Sequence, residues 1–237
     1  MTKIHAHRGA SMYAPENTLE AAELAVKMRA DAIELDVHLT ADKRVVVSHD
    51  AQLGRCCNGS GNISDQTYEQ LCGYNFNAGK PEYPFCRIPL LEEFYELIRP
   101  TDMFLNVEIK GNCGEIEPYL SSLAKEYGLV ERVLYSSFDH DALVRIKELE
   151  PCCKTGLLYS DPVPDVVDYC LRRGYDAIHP YHGNLTDEII SGCLANNIMV
   201  NAWTVDEPED MKRLCNAGVT GLITDCPDIA RGVIESL

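Results

Sequence analysis

The sequence predicts a (β/α)8 barrel, a fold in which eight parallel strands alternate with eight helices. Eight short apolar runs follow one another along the chain, and stretches with helical spacing separate them. The length of 237 residues is close to the roughly 250 residues that are typical of this fold. A doubly wound open sheet is the rival architecture, but eight regular units favour closure. We therefore expect residues 1–237 to form one barrel domain.

Each strand is predicted from a run of aliphatic residues of the kind found in buried parallel strands. The runs begin near Lys3, Ala32, Met103, Arg132, Lys154, Asp176, Ile198 and Gly221. Helical spacing is clearest from Asn17 to Ala30, Leu90 to Ile98, Glu115 to Tyr127, Ala142 to Leu149, and Pro208 to Ala217. The first of these helices has good entry signals, because Pro15 suits a position just before a helix and Asn17 or Thr18 can cap it.

One interval is much longer than the others and predicts an insertion after the second strand. It lies between Ala32 and Met103, and we predict that it opens with a short strand at Val45-Val46-Val47. The turn-rich run from Asn58 to Asn62 follows, so we place the insertion at about residues 51–88. Loops that follow barrel strands face the functional end of the fold, so we expect this segment to overhang a pocket.

Composition narrows the choice of partners and location. The formal net charge of −16 argues against nucleic acid and against an anionic membrane, because either would require a basic patch. The first residues contain no long apolar stretch, and the eleven cysteines lack any Cys-x-x-Cys spacing. We therefore expect reduced thiols that act as small apolar fillers, a cytoplasmic location and no stable membrane association.

Three carboxylates lie inside apolar runs, where an unpaired charge is unfavourable. Glu34 and Asp36 are two residues apart in Ala-Ile-Glu-Leu-Asp-Val, and Glu108 lies in Leu-Asn-Val-Glu-Ile-Lys. Strand side chains alternate, so Glu34 and Asp36 point to one face of their strand, and Glu108 and Lys110 share a face of theirs. An all-oxygen set of acids suits Mg²⁺ or Ca²⁺. The alternative is a salt-bridge network with Lys110 and Arg8, and we favour the metal site.

Two histidines are predicted close to these acids. His7 and Arg8 fall at the carboxyl end of the first strand, where barrel enzymes keep their reactive groups. His49 ends the run Val-Val-Val-Ser-His that follows the acid-bearing second strand. A single histidine at a strand end is more often structural, but two of them beside three acids and an arginine favour proton transfer at neutral pH.

These residues belong to a series of motifs that resembles the glycerophosphodiester phosphodiesterase family and spans nearly the whole chain. The motifs are His7-Arg8-Gly9, Pro15-Glu16-Asn17-Thr18, Ile33-Glu34-Leu35-Asp36-Val37, Val46-Val47-Ser48-His49-Asp50, Ile88-Pro89-Leu90-Leu91-Glu92-Glu93, Asn106-Val107-Glu108-Ile109-Lys110, Ser136-Ser137-Phe138, Ala202-Trp203-Thr204-Val205 and Gly221-Leu222-Ile223-Thr224-Asp225. The resemblance implies hydrolysis of small-molecule glycerophosphodiesters to glycerol 3-phosphate and an alcohol.

The same resemblance implies a role for each site residue. It implies a divalent ion, Mg²⁺ or Ca²⁺, held at the positions Glu34, Asp36 and Glu108. His7 and His49 resemble the acid–base pair of the family, without an indication of which is acid and which is base. By the same resemblance Arg8 and Lys110 are phosphate contacts, and Trp203 is an apolar wall beside the glycerol. A barrel-core role for Trp203 is equally compatible with the sequence.

Two other functions remain as alternatives at this point. The first is a related barrel phosphodiesterase that acts on lipids, of the phospholipase C or phospholipase D type, which would require a membrane-facing loop. The second is a catalytically silent barrel that binds phosphorylated metabolites. The chain also departs from the family pattern at three places. Cys56 and Cys57 follow Arg55 where threonines are common, and Arg29 and Lys43 occupy positions that often hold glycine, which puts the turn geometry there in question.

Overall fold

The structure, a computed structural model, describes residues 1–111 and 114–237. Its strands are β1 (Lys3–His7), β2 (Ala32–Leu39), β3 (Val45–Val47), β4 (Phe104–Ile109), β5 (Val133–Ser137), β6 (Lys154–Tyr159), β7 (Ala177–Pro180), β8 (Met199–Ala202) and β9 (Gly221–Thr224). Its helices are α1 (Leu19–Lys27), α2 (Tyr68–Leu71), α3 (Leu91–Ile98), α4 (Glu117–Glu126), α5 (His140–Leu149), α6 (Val166–Arg173), α7 (Asp187–Ala195), α8 (Pro208–Ala217) and α9 (Pro227–Glu235).

Eight of these strands close into a parallel barrel. β1, β2 and β4 to β9 each pair in parallel with the next strand, and the ring closes because β1 pairs with both β2 and β9. The predicted (β/α)8 barrel is therefore confirmed, and the open doubly wound sheet is wrong. The eight predicted strand starts agree with the observed ones to within one residue, because each apolar run is a local feature of the sequence.

The alternation of side chains along β2 explains how a buried strand can carry acids. Ile33, Leu35 and Val37 belong to the apolar core that the strands form with the surrounding helices. Glu34 and Asp36 lie between them in sequence and therefore point to the other face, which is the barrel interior. All eight residues of the strand are buried. The helices thus cover one face of the sheet, and polar groups collect inside the ring.

The segment after β2 is partly folded on its own apolar cluster. β3 pairs antiparallel with β2, as Val45-Val46-Val47 predicted, and a short 3-10 turn and α2 follow it. Val46, Leu53, Ile63, Leu71, Phe76, Ile88 and Leu90 form this second cluster. The segment therefore has a defined conformation next to the carboxyl end of the barrel.

The ends of α1 and α8 show typical capping features. Thr18 caps α1, because its hydroxyl accepts a hydrogen bond from the amide of Ala21 at 3.3 Å. Gly218 ends α8 in the left-handed conformation, which glycine adopts without steric cost. Within the described ranges, every helix is too short or too polar to cross a lipid bilayer.

Candidate active site

Parallel pairing brings the predicted site residues to one end of the barrel. His7 is the register partner of Glu34 between β1 and β2, and Asp36 is the partner of Glu108 between β2 and β4. A cavity of about 230 Å³ opens at these carboxyl ends. It is lined by His7, Arg8, Glu34, His49, Asn106, Glu108, Lys110, Ser136, Phe138, Leu158, His179, Trp203 and Ile223. Seven of the eight predicted site residues therefore line one cavity, and the eighth, Asp36, is buried beside them.

The three acids form one compact cluster. Each of Glu34, Asp36 and Glu108 offers a carboxylate oxygen, and these atoms lie within 4.8 Å of one another. All three side chains are buried. Asn17 stabilises Asp36 by donating from Nδ2 to Oδ2 at 2.8 Å, and the backbone amide of Arg8 donates to Glu34 Oε2 at 2.9 Å. Backbone and amide donors thus fix the carboxylates in place.

Two cations lie next to this cluster, as the salt-bridge alternative expects. Lys110 Nζ lies 2.7 Å from Glu108 Oε1 and 3.5 Å from Asp36 Oδ1. Arg8 Nε lies 3.5 Å from Asp36 Oδ2, but its Nη1 donates to Glu16 at 2.8 Å. Asp36 Oδ1 and Glu108 Oε1 have no hydrogen bond of acceptable geometry within residues 1–111 and 114–237. Two cations, one of them shared with Glu16, do not balance three buried carboxylates.

The excess of negative charge in the cluster favours protonation of two of its three acids. Burial, followed by the charge of Asp36, raises the pKa of Glu34 to about 7. Burial and the same neighbouring charge raise the pKa of Glu108 well above its ordinary value. Burial also opposes ionisation of Asp36, but Lys110 and Arg8 outweigh it and lower the pKa of Asp36. Three buried acids that resist simultaneous ionisation fit a divalent cation, and the residues present could hold one.

An acid directly after β9, the strand next to β1, supports His7. Its Nδ1 donates to Asp225 Oδ1 at 2.6 Å, and the hydroxyl of Ser11 donates to the same oxygen at 2.9 Å. Burial opposes protonation of His7, but the hydrogen bond to Asp225 and the charge of Glu34 outweigh it and raise the pKa of His7. Because Nδ1 is bonded to the acid, Nε2 is the ring atom available for proton transfer.

His49 is also hydrogen-bonded to an acid, but that acid is in turn paired with an arginine. Its Nδ1 donates to Asp50 Oδ1 at 2.6 Å, and Arg55 Nε donates to the other oxygen of Asp50 at 2.5 Å. Burial lowers the pKa of His49, and although Asp36 opposes this change, Arg8 contributes in the same direction as burial. The pKa values of His7 and His49 are therefore shifted in opposite directions.

The backbone after β1 takes an unusual conformation at the site. Arg8 has a φ of 55°, in the left-handed region that non-glycine residues rarely adopt, and Gly9 has a φ of 84°. A Cβ atom on Gly9 would lie 2.6 Å from the backbone carbon of Ala21, so a larger residue does not fit there. This tight turn aims the Arg8 amide at Glu34, and strain of this kind is typical of functional sites.

Aromatic side chains form the other side of the cavity. Trp203 donates from Nε1 to the carbonyl oxygen of His179 at 2.7 Å, which fixes its ring at the end of β8. Phe138 packs edge-to-face on Trp203 with ring centroids 5.8 Å apart, and Lys110 Nζ lies 5.6 Å from the Phe138 ring centroid. Burial, with a smaller contribution from His5, lowers the pKa of His179 to about 3, so this imidazole is neutral.

Several residues of the site were not predicted from the sequence. Asn17 was considered only as a helix cap, and the sequence indicated no contact between Asp225 and His7. Glu16 and Arg55 also contact site residues, and the only sequence signal for them was their position inside or next to the motifs. His38 donates from Nε2 to the carbonyl oxygen of His49 at 3.1 Å, although nothing in the sequence pointed to it.

Comparison with known proteins decides the family. The model of the glycerophosphoryl diester phosphodiesterase family matches residues 7–229. The chain belongs to this family. A glycerophosphodiester phosphodiesterase of Caldanaerobacter subterraneus is 40% identical over 234 residues, which cover 96% of this chain and 95% of that protein. The predicted family and the predicted enzyme class, a phosphoric diester hydrolase, are confirmed.

Solved structures agree with this assignment. A phosphodiesterase of Oleispira antarctica, in complex with the product sn-glycerol-3-phosphate, superimposes with a TM-score of 0.90 at 28% identity and covers 99% of this chain and 97% of its own. A glycerophosphoryl diester phosphodiesterase-like protein of Silicibacter pomeroyi reaches a TM-score of 0.92 at 23% identity, over 100% and 94% of the two chains. The second likeness supports the barrel fold alone.

Proposed function

We propose that this family member hydrolyses glycerophosphodiesters to sn-glycerol 3-phosphate and an alcohol in the cavity at the carboxyl end of the barrel. One observation carries the proposal: three buried carboxylates and the imidazoles of His7 and His49 line or adjoin the same cavity, and each of these two imidazoles has its own supporting acid. The product named for the Oleispira antarctica protein supports the same reaction.

The acid cluster supports the proposal of a divalent metal site. Glu34, Asp36 and Glu108 would hold the ion, and all their ligand atoms are oxygens, which suits Mg²⁺ and Ca²⁺ alike. A bound divalent ion would withdraw charge from the nonbridging phosphoryl oxygens and stabilise the additional negative charge of the transition state.

The cations of the cavity are proposed as phosphate contacts. Arg8 and Lys110 line the cavity, and both are held beside the acid cluster by ion pairs. A guanidinium matches two phosphate oxygens, and an ammonium adds a compact charge. These local charges allow an anionic diester to bind a protein whose formal net charge is −16. Trp203 would bound the space for the glycerol carbons.

The charges behind His7 and His49 support a proposal for which of them is the acid and which is the base. Asp50 shares its charge with Arg55, so the charge of Asp50 is partly neutralised behind His49. Asp225 accepts from the neutral hydroxyl of Ser11, so its full charge is available to a protonated His7. We therefore assign His49 as the base that deprotonates the attacking oxygen, and His7 as the acid that protonates the departing alkoxide. The attacking oxygen belongs either to water or to the neighbouring glycerol hydroxyl.

Product analysis tests the proposed reaction. Purified protein is incubated with glycerophosphocholine, glycerophosphoethanolamine and glycerophosphoglycerol, with added Mg²⁺, with added Ca²⁺ and with a chelator. We expect release of glycerol 3-phosphate with at least one of the metals and its loss with the chelator. Release of phosphocholine or phosphoethanolamine together with glycerol, or no turnover with either metal, would contradict the proposal.

A further inference from the structure

Arg55 extends from the segment after β3 into a set of hydrogen bonds at the edge of the cavity. Its Nε donates to Asp50 Oδ2 at 2.5 Å. Its other two nitrogens donate to both carboxylate oxygens of Glu16, Nη1 at 2.9 Å and Nη2 at 2.8 Å. One guanidinium fork therefore joins two acids that come from two different loops of the barrel.

Each of these acids in turn holds a residue of the proposed machinery. Asp50 accepts from His49 Nδ1 at 2.6 Å, so the position of Asp50 sets the orientation of the imidazole. Glu16 accepts from Arg8 Nη1 at 2.8 Å, through the same oxygen that accepts from Arg55 Nη2. The two acids thus connect Arg55 to His49 on one side and to Arg8 on the other.

The negative charges of Glu16 and Asp50 are balanced by the guanidinium groups of Arg8 and Arg55 together. Glu16 lies between Arg8 and Arg55, and these two arginines, against the opposing effect of burial, lower the pKa of Glu16 to about 2. Without Arg55, Glu16 would be left with Arg8 alone, and Asp50 would lose its only ion-pair partner besides His49 in the described part of the chain. Isolated exposed ion pairs contribute little, but a forked arginine that bridges two fixed carboxylates restricts geometry strongly.

We propose that Arg55 is a positioning residue that holds the base His49, through Asp50, and the phosphate contact Arg8, through Glu16, in their working orientations. This inference rests on the proposed function. It gives the segment of about residues 51–88 a direct part in the reaction, since that segment supplies the group that joins two separate loops of the site. A lysine at position 55 keeps the charge but cannot bond Asp50 and both oxygens of Glu16 together.

The first experiment compares Arg55→Lys with a matched control, Arg87→Lys. Arg87 comes from the same segment and also forms a forked ion pair, with Glu93, but its hydrogen-bond partners are not lining residues of the cavity. We expect Arg55→Lys to lower kcat/KM by about 10- to 100-fold. The value of kcat should decrease because His49 is less well oriented, and KM should increase because Arg8 is less well placed to bind phosphate. Arg87→Lys should change both parameters by less than about twofold, while the two variants show similar melting temperatures.

The second experiment separates positioning from folding. Arg55→Ala is assayed with and without millimolar guanidinium, an ion that can occupy the vacated fork position. Partial recovery of kcat with guanidinium, and none in a parallel Arg87→Ala variant, would support the proposal. Wild-type kinetics in Arg55→Lys, or activity lost in Arg55→Ala without recovery and together with a lowered melting temperature, would overturn it. A wild-type protein that releases no glycerol 3-phosphate would instead contradict the proposed function.

Discussion

At the residue scale, the cavity contains two imidazoles whose surroundings favour different protonation states. Asp225 and Ser11 stabilise a protonated His7, whereas Asp50 divides its charge between His49 and Arg55. General acid–base catalysis requires one group that is protonated and one that is not at the same pH. Two histidines can meet this requirement because the acids that support them have different partners. Asp225 accepts from the neutral Ser11, whereas Asp50 accepts from the cationic Arg55.

The first prediction concerns these two residues. His7→Ala and His49→Ala should each lower kcat by about 10² to 10⁴, because each removes one proton transfer, and metal affinity should persist. The check is steady-state kinetics with a glycerophosphodiester, together with calorimetric metal titration. His140→Gln, an imidazole outside the cavity, serves as the control and should retain activity. Near-normal turnover in either alanine variant would remove that histidine from the mechanism.

The second prediction assigns the limbs of the pH profile. A base works when deprotonated, so activity should rise with pH through the pKa of His49, which burial lowers. An acid works when protonated, so activity should fall as the pH rises through the pKa of His7, which the bond to Asp225 raises against the effect of burial. His49→Ala should therefore abolish the acidic limb of kcat/KM, and His7→Ala the alkaline limb. The reverse assignment of limbs would exchange the two roles.

The third prediction concerns metal binding. Glu34→Gln should weaken the affinity for Mg²⁺ or Ca²⁺ by about tenfold or more, because it removes one charged ligand oxygen from a three-acid cluster. The measurement is a metal titration followed by calorimetry and by the rise in melting temperature with ion concentration. Glu150→Gln removes a buried carboxylate that pairs with Lys125 elsewhere and should leave the titration unchanged. An unchanged titration in Glu34→Gln would remove Glu34 from the ligand set.

The sequence predicted the residues that strand position alone brings to the cavity, and it missed those that reach the cavity through partners distant in sequence. Glu34, Asp36 and Glu108 could be identified because charge inside an apolar run is a local anomaly. The bond from His7 to Asp225 joins residues 218 positions apart, and no local pattern encodes it. The bonds of Arg55 depend on the conformation of an irregular segment, for which hydrophobic periodicity gives no guide.

At the element scale, Arg29 and Lys43 are among the non-glycine residues that adopt the left-handed conformation. Arg29, just after α1, has a φ of 58°, and Lys43, between β2 and β3, has a φ of 62°. These are positions at which the chain departs from the glycine of the family pattern. The backbone at both positions adopts a conformation that disfavours non-glycine L-residues by roughly 1 kcal/mol or more.

The fourth prediction follows from the turn at Lys43. Lys43→Gly should be more stable than Lys43→Ala by about 1 kcal/mol, because both lose the exposed ion pair with Glu115 but only glycine relieves the left-handed strain. The free energy of unfolding from urea denaturation provides the check. The control pair is at Lys27 in α1, where alanine should be the more stable by about 1 kcal/mol. If the alanine variant were the more stable one at both Lys43 and Lys27, the proposed strain at Lys43 would be contradicted.

At the scale of the whole molecule, the barrel interior is unusually polar beneath the cavity. His5, Asn106, His179 and Asn201 are all buried there, and Asn201 Nδ2 lies 3.0 Å from His179 Nε2. Gly156 leaves room for this layer, since a Cβ atom there would lie 2.5 Å from the His179 ring. The apolar pattern of the strands predicted the outer face of the barrel, whereas this inner layer depends on side-chain contacts between different strands.

The last prediction concerns how this inner layer couples stability to pH. Burial lowers the pKa of His5 to about 4 and that of His179 to about 3. As the pH falls below about 6.5, the unfolded chain therefore takes up protons at these two residues that the folded chain does not. Each imidazole thus contributes a loss of about 1.4 kcal/mol in the free energy of unfolding per pH unit down to its folded-state pKa.

Replacing one of these imidazoles tests the coupling. Burial, as the largest cause, raises the pKa values of Glu34 and Glu108, so these two acids oppose the loss of stability as the pH falls. The test therefore compares wild type with a variant that keeps both acids, and chelator is present in both samples. His179→Gln should flatten the dependence of the free energy of unfolding on pH between 6 and 4.5 by about 1.4 kcal/mol per pH unit, measured by urea denaturation. Ile178→Val, on the same strand but in the outer core, should lower that free energy by about 1 kcal/mol equally at every pH. Parallel curves for wild type and His179→Gln would mean that His179 is protonated inside the folded barrel, and that the inner layer holds a charge.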